Sequence, residues 1–422
     1  MIDSDALLAI QKKLSGKSLN YKEIFSIMDE IAHKRLGTVL TTYFAASGYA
    51  KGFSNEELFF LTEAMINTGE RLKFNGIVAD KHSIGGVPGT RTTLIVVPII
   101  ASAGFKIPKS SSRAITTPGG TADDMETLSP VTFNKDQIYK IVEKTNGCIV
   151  WGGGVDIAPA DDELIKVEEP LELESFDKIL VSIMAKKIAF DSNHIVIDLP
   201  YGKHVKVHDL KNAEEVKQKF EYLAERFSVK IKVIIHKTDQ PAGRGIGPLL
   251  EAREAIRVLE QSPDRPIDLE EKALVLSGSL LDLCLKDSSE ALKNKISTEF
   301  GSGRKWAEYI LSSGHAFLKL KEIINAQGGN RDINSAKMKP GKYMHIVNSR
   351  KTSIIKGIDS KFATTIAKIL GAPAHKKSGI FLNKKIGEEA IISQPLFTLF
   401  AETEYNLKEA IDSLKHFPII EY

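Results

Sequence analysis

The chain is poor in cysteine, nearly balanced in charge and free of long apolar runs, and each absence removes a class of function. Its two cysteines, Cys148 and Cys284, form no CxxC pair and have no histidine at ligand spacing, which excludes a disulfide framework or a locally encoded zinc site and favours a reducing cytoplasm. Lys and Arg number 57 against 54 Asp and Glu, a net charge of +3, too small a field to recruit nucleic acid or an anionic membrane. Any bound anion must be held locally. No stretch is apolar enough to span a bilayer, and the opening MIDSDALLAIQKKL mixes acids into a segment with no apolar signal core, so a soluble, unexported protein is expected. There is no fixed-period repeat and no low-complexity tract. No carboxylate–histidine group has ligand spacing, so no metal is expected.

What is present reads as three parts packed together. With 42% hydrophobic residues the chain is long enough for two or three domains with a sizeable core. Residues 1–71 are predicted to be helical: Leu7, Leu8, Ile10 and Leu14 recur at helical spacing, as do Ile24, Ile27, Met28 and Ile31, and Ser54 with Glu57 reads as a capping box. After Asn75 glycine-rich loops feed apolar helices, and HIVIDLP and VKIKVIIH are β-branched runs expected as buried strands separated by helices such as AEEVKQKFEYLAERF. An α/β layer with a parallel or mixed sheet follows. From Gly329 short strands and turns predict a separate α+β domain.

Two loops carry the chemistry. Lys81 to Thr93, KHSIGGVPGTRTT, and Ser110 to Thr121, SSSRAITTPGGT, each combine glycine, hydroxyls and a cation ahead of a helix start after Thr92 or Thr121. Glycine lets backbone amides approach an anion, hydroxyls add donors, and Lys81 and Arg113 add charge. The same composition also suits ordinary turns, and Thr121 with Asp124 an ordinary helix cap. Neither loop closes with GK[ST], and GRGIG at Gly243 to Gly247 lacks the GxGxxG spacing, so a Walker A loop and a dinucleotide fold are excluded. His82 is placed to give a hydrogen bond or proton to a leaving group, although a lone histidine is more often structural. Lys186 and Lys187, on a helical pattern, are expected to be solvated, as is most of the acidic string Asp161, Asp162, Glu163, Glu168, Glu169, Glu172 and Glu174.

The strings KHSIGGVPG, SSRAITTPGGTADDMETL, WGGGVDIAPADDELI, SIMAKK and TDQPAGRGIGPLLEARE, with GAPAHKKSGIFLNKKIGEEAIISQPLFTLFAE near the end, resemble the thymidine and pyrimidine-nucleoside phosphorylase family, in its AMP phosphorylase-like branch. The resemblance covers nearly the whole chain. It implies a homodimer with a small helical domain (1–71 plus 160–192), an α/β phosphate-binding domain (72–159 plus 193–328) and a C-terminal α+β domain (329–422), with the site in the cleft between the first two. Positions matching Lys81, Ser83, Thr92, Thr93, Ser111 and Thr121 would hold inorganic phosphate, a co-substrate, with no cofactor. His82 would face the base, and Ser182 and Lys186 would reach it from the helical side. In AMP phosphorylases, positions matching Gly86, Ser112, Arg113, Ala114, Ile115, Thr116, Thr117, Thr121, Ser182 and Lys206 contact the nucleotide. The family's proton-donating aspartate is Glu174 here. Archaeal members carry an extra N-terminal domain not seen in this sequence.

Two substrates follow as expectations. Purine departure is helped by protonation of its imidazole ring, which suits a carboxylic acid such as Glu174, with Arg113 or Lys206 as partners for a 5′-phosphate. A pyrimidine leaves with charge on its carbonyl oxygens, which suits His82, Ser182 and Lys186. Phosphoribosyl transfer, as in the similarly folded anthranilate phosphoribosyltransferases, is disfavoured by the lack of GTGGD, and a non-catalytic nucleotide sensor is the alternative of a different class.

Overall fold

The computed structural model describes residues 3–114, 117–155, 157–168 and 175–422. Helices Ser4–Leu14, Tyr21–Ala32, Gly37–Lys51 and Asn55–Asn67 form the N-terminal part, and helices Pro159–Glu168 and Phe176–Ala189 pack against them. Ser54 caps as expected: its hydroxyl accepts from the Glu57 amide, and the Glu57 carboxylate accepts from the Ser54 amide. That carboxylate also takes Lys13 Nζ at 2.8 Å and the Leu19 amide at 3.0 Å, so one buried acid ties three segments. The first helix departs from expectation. It buries Ala6, Ala9, Ile10 and Lys13 and leaves Leu7, Leu8 and Leu14 exposed; the leucines of this helix are on its outer side.

The central layer is built from β1 (Ala79–Ser83), β2 (Ile107–Ser111), β3 (Gly147–Trp151), β4 (His194–Tyr201) and β5 (Lys230–Lys237). β1 pairs parallel with β4 and β4 with β5, while β2 pairs parallel with β3. A parallel bridge between Val78 and Lys106 joins the two groups, giving the order β3-β2-β1-β4-β5. β4 is buried along nearly its whole length, as expected, whereas β5 is only half-buried because it is the edge strand. The chain runs outward from β1 through β2 and β3, then restarts beside β1 with β4. In such sheets the crevice beyond the carboxyl ends of the strands, where the order reverses, is the place for a ligand. Here it lies between β1 and β4, and both glycine-rich loops leave the carboxyl ends of adjacent strands.

The C-terminal part holds a four-stranded antiparallel sheet of β6 (Gly245–Ile246), Gly379–Leu382, Pro395–Ala401 and Tyr343–Asn348, in that order, with helices Ser360–Ile369 and Glu404–Ser413 against it. β6 precedes residue 329, so the central part contributes a strand to the C-terminal sheet and Ile246 to its core. No helix among the described residues is long and apolar enough to cross a membrane.

Candidate active site

Alternation along β1 sends its charged side chains to two sides. On one side, buried Lys81 donates to Ser83 Oγ at 2.5 Å, and Ser83 donates to Asp198 Oδ2 on β4 at 2.6 Å. Asp198 also meets His236 Nε2 at 2.6 Å and Lys272 Nζ at 3.1 Å. Burial alone would raise the Asp198 carboxyl, but Lys272, the His236 hydrogen bond and Lys81 outweigh it and hold the group well below the usual carboxylate range. Lys81 is pushed down to about 7, first by burial and then by Lys272 and Arg91, against the pull of Asp198.

On the other side, Asp80 is fully buried, 3.0 Å from Lys187 Nζ and 3.6 Å from Lys109 Nζ. Lys187 also reaches the Ser110 carbonyl at 3.3 Å. This corrects the expectation of a solvated Lys187: the ammonium crosses from the helical part into the sheet. Burial drives the Lys109 ammonium well below its ordinary range, and burial with Lys187, Lys109 and Lys81 does the same to half-buried His82. His82 is therefore neutral near pH 7 and can offer one N–H or one lone pair at each ring nitrogen, not a full positive charge.

Lys186, Ser182, Asp161 and Asp162 also differ from a solvated face, while Glu163 keeps an exposed pair with Lys166 and Glu169 and Glu172 lie outside the described residues. Lys186 Nζ lies 2.7 Å from Asp161 Oδ2 and 3.3 Å from Asp162 Oδ1, and Ser182 donates to Asp161 at 2.7 Å. Burial lowers the Lys186 pKa, but the two aspartates override it and keep the group charged. Burial raises Asp162, with the nearby Asp161 adding to it. Asp161 and Asp162 neutralise a partly buried lysine and are not a solvation shell.

The second loop is stapled from below. Gly120 rather than Thr121 caps the short helix Thr121–Glu126, and its partner is Asp123 rather than Asp124. A Cβ at Gly120 would stand 2.5 Å from the Ser112 carbonyl oxygen, so no other residue fits. Arg113 is bound by both Glu126 oxygens at 2.7 Å, with Asp123 at 3.3 Å and its guanidinium over the Trp151 ring. Arg113 thus supports the loop through a fork held by Glu126. Lys206 packs on Gly86, whose φ is +88° and whose added Cβ would lie 3.1 Å from Lys206 Cγ.

Thr92 is buried, and its hydroxyl has no hydrogen-bond partner among the described residues. Thr93 opens helix Thr93–Ser102, and Ser111 ends β2. Ser112, Ala114 and Thr117 belong to the loop after β2, while Ile115, Thr116 and Glu174 lie outside the described residues.

Sequence reasoning missed several groups that this geometry assembles. Asp80, Lys109, Asp198, His236 and Lys272 are the polar frame of the crevice. Arg91, within the first loop, reaches Thr117 Oγ1 at 3.3 Å and the Gly119 carbonyl, and its Nε lies 2.7 Å from Asp124 Oδ2 and 2.9 Å from Glu251 Oε2. Only Arg91 carried a signal, as a cation in a glycine-rich loop. Elsewhere, His204, Asp359 and Glu421 bring ligand-type atoms within 4.8 Å of one another, a grouping invisible to sequence spacing; Lys203 Nζ lies 3.8 Å from Glu421.

Comparison with known proteins agrees with this arrangement. Residues 8–69 match the Glycosyl transferase family, helical bundle domain, and residues 75–317 the Glycosyl transferase family, a/b domain. The fold is shared with anthranilate phosphoribosyltransferase from Thermus thermophilus, at a TM-score of 0.62 and 16% identity over 76% of this chain and 99% of that one. Fold and site thus define a glycosyltransferase with a helical bundle set against an α/β layer.

Closer relatives narrow the class. A "Putative thymidine phosphorylase" of Legionella pneumophila (strain Corby) is 41% identical over 97% of this chain and 77% of its own length. The AMP phosphorylase of Methanocaldococcus jannaschii is 41% identical over 95% of this chain and 78% of its own. The chain belongs to this phosphorylase family, and it is a pentosyltransferase enzyme of the nucleoside phosphorylase type.

Proposed function

We propose that the enzyme uses inorganic phosphate to cleave the N-glycosidic bond of a nucleoside 5′-monophosphate, AMP foremost with CMP and UMP as further candidates, releasing the base and ribose 1,5-bisphosphate. The observation that carries phosphate use is the surplus of buried cations where the strand order reverses. Lys81 and Lys272 meet Asp198 on one side of β1, and Lys109 and Lys187 meet Asp80 on the other; Lys81 is lowered by burial, Lys272 and Arg91, and Lys109 by burial, Lys187 and Lys81. A dianion on the Lys81 side would restore the charge that burial takes from Lys81. Ser83, Thr92, Thr93, Ser111 and Thr121 would supply further donors, with the unpartnered Thr92 hydroxyl the clearest.

The held phosphate oxygen would bond to the anomeric carbon as the carbon–nitrogen bond breaks, through an oxocarbenium-like state, with the bonding pair passing to the base. Neutral His82 would give a hydrogen bond at the base, and Ser182 and Lys186 would approach from the helical side. For a purine, a carboxylic acid would deliver the proton, and Glu174 is the residue proposed for it. Lys206 is the cation proposed for the 5′-phosphate, since its packing on Gly86 brings it to the first loop. No metal or other cofactor is needed for this chemistry. The division into 1–71 plus 160–192, 72–159 plus 193–328, and 329–422 would let the helical part close over the α/β crevice.

A homodimer is proposed through the helices Ser4–Leu14 and Gly37–Lys51, which pack together and expose Leu7, Leu8, Leu14, Val39, Tyr43 and Tyr49. A reducing, cytoplasmic setting suits its unpaired, buried cysteines.

The second reading is phosphorolysis of thymidine or uridine, favoured by the Ser182 and Lys186 pair and by the name of the Legionella relative. Incubating the protein with phosphate and, separately, AMP, CMP, UMP, adenosine, uridine and thymidine, with a phosphate-free control, separates the two. Base released only from monophosphates supports the first reading; base from thymidine or uridine instead replaces it with the second.

A further inference from the structure

The loop between β2 and helix Thr121–Glu126 is held at both ends by one carboxylate. Asp123 Oδ2 accepts from the Ala114 amide at 2.7 Å and the Gly120 amide at 3.0 Å. Its other oxygen, Oδ1, receives Lys376 Nζ at 2.7 Å, and Lys376 also lies 2.9 Å from Glu126 Oε2. Lys376 comes from the C-terminal part, just before strand Gly379–Leu382, and its carbonyl accepts from the Leu249 amide at 3.0 Å, which fixes its backbone. Two cations, Arg113 and Lys376, thus balance two carboxylates, Asp123 and Glu126. The Arg113 hydrogen bond, then Lys376, outweighs burial and brings Glu126 down to about 2.

We infer that Lys376 is a positioning residue through which the C-terminal part sets the two described ends of the nucleotide loop, at Ala114 and Gly120. Among the described residues, its ammonium reaches the loop through the carboxylates of Asp123 and Glu126. Asp123 is 2% exposed, and a buried carboxylate that loses one of its cations must find another, because a buried charge is tolerated only when paired. Without Lys376, Arg113 is the cation left to the pair. Arg113, 2.7 Å from Glu126 and 3.3 Å from Asp123, would have to draw closer to Asp123 to replace the lysine, which pulls on the Ala114 end of the loop and loosens the amide staple at Gly120. The C-terminal part then does more than pair with β6: it supplies the fourth charge of the cluster that shapes the loop.

The assignment of this loop to the nucleotide rests on the proposed function, so the test needs a readout independent of turnover. Hydrogen–deuterium exchange of the peptide covering residues 112–121 is compared in the wild-type chain, Lys376→Met, which keeps the apolar stem, and Lys376→Arg, which keeps the charge. Exchange in Lys376→Met about tenfold faster, restored by Lys376→Arg, is expected; unchanged exchange in Lys376→Met overturns the inference. In kinetics, Lys376→Met should raise the nucleotide KM roughly tenfold while the phosphate KM moves by less than about twofold. Equal losses in both, or loss of the far-UV signal of the folded chain, would reduce Lys376 to a general structural contact. If no nucleotide or nucleoside is turned over by the wild-type chain yet exchange responds as expected, the coupling stands and the proposed function fails.

Discussion

Lys187 Nζ, on a helix of the N-terminal part, lies 3.0 Å from the carboxylate of Asp80 on the first strand of the sheet, and both side chains are almost fully buried. The pair fastens the helical part to the floor of the crevice and puts an ammonium beside His82. Its neighbour Lys186 turns to Asp161 and Asp162 within the helical part. Two adjacent lysines thereby serve opposite sides of the proposed cleft.

Replacing Lys187 with Met should cost about 3 kcal/mol, because a buried carboxylate loses its nearer partner. Lys109, 3.6 Å from Asp80, remains and keeps the loss toward the low end of that class. Urea denaturation followed by tryptophan fluorescence measures it; an unchanged midpoint would mean that Lys109 alone satisfies Asp80.

Lys81 makes anion binding depend on pH. Its folded-state value near 7 lies below the ordinary 10.5, so between those values the unfolded chain holds the extra proton. Its contribution to stability therefore rises with pH across that window, and the penalty of the buried charge is complete below it. A dianion reverses the preference by drawing a proton onto Lys81. Sulfate, which does not titrate here, should bind progressively more weakly from pH 7 to 9, by up to about tenfold per unit, with proton uptake seen by calorimetry in buffers of different ionisation enthalpy. Lys81→Arg should flatten that dependence. A flat wild-type profile would show Lys81 charged throughout.

Arg113 and Lys206 should separate by substrate. Lys206→Met is expected to lower kcat/KM for AMP by roughly tenfold to a hundredfold, the worth of a charge-assisted phosphate contact, and to leave adenosine nearly unaffected. Arg113→Met should harm AMP and adenosine alike and should be matched by Glu126→Gln, because the Arg113 fork is spent on Glu126. An AMP-specific loss in Arg113→Met would restore it as the 5′-phosphate ligand.

The glycine-rich loops, the capping box at Ser54 and the strand of His194–Pro200 were legible because each is a local signal: backbone freedom, a side chain reaching its own backbone three residues away, or a buried β-branched run. Leu7 and Leu8 misled, since helical spacing says which residues share a face but not which face meets a neighbour. The acidic string misled similarly at Asp161, which is buried only because Lys186 and Ser182 arrive on a second helix.

By itself the sequence determined where the chain turns, where helices start and which loops carry donors for an anion, since those follow from φ/ψ freedom and hydrogen bonding over a few residues. Tertiary structure alone decided which charges meet. The sheet order β3-β2-β1-β4-β5 sets Asp198 beside Ser83 and Lys109 beside Asp80. Charge state depends on burial and on neighbours a few ångströms away, not on neighbours along the chain. For that reason the neutral His82, the depressed Lys81 and the already engaged Arg113 became visible only once the strands were laid side by side.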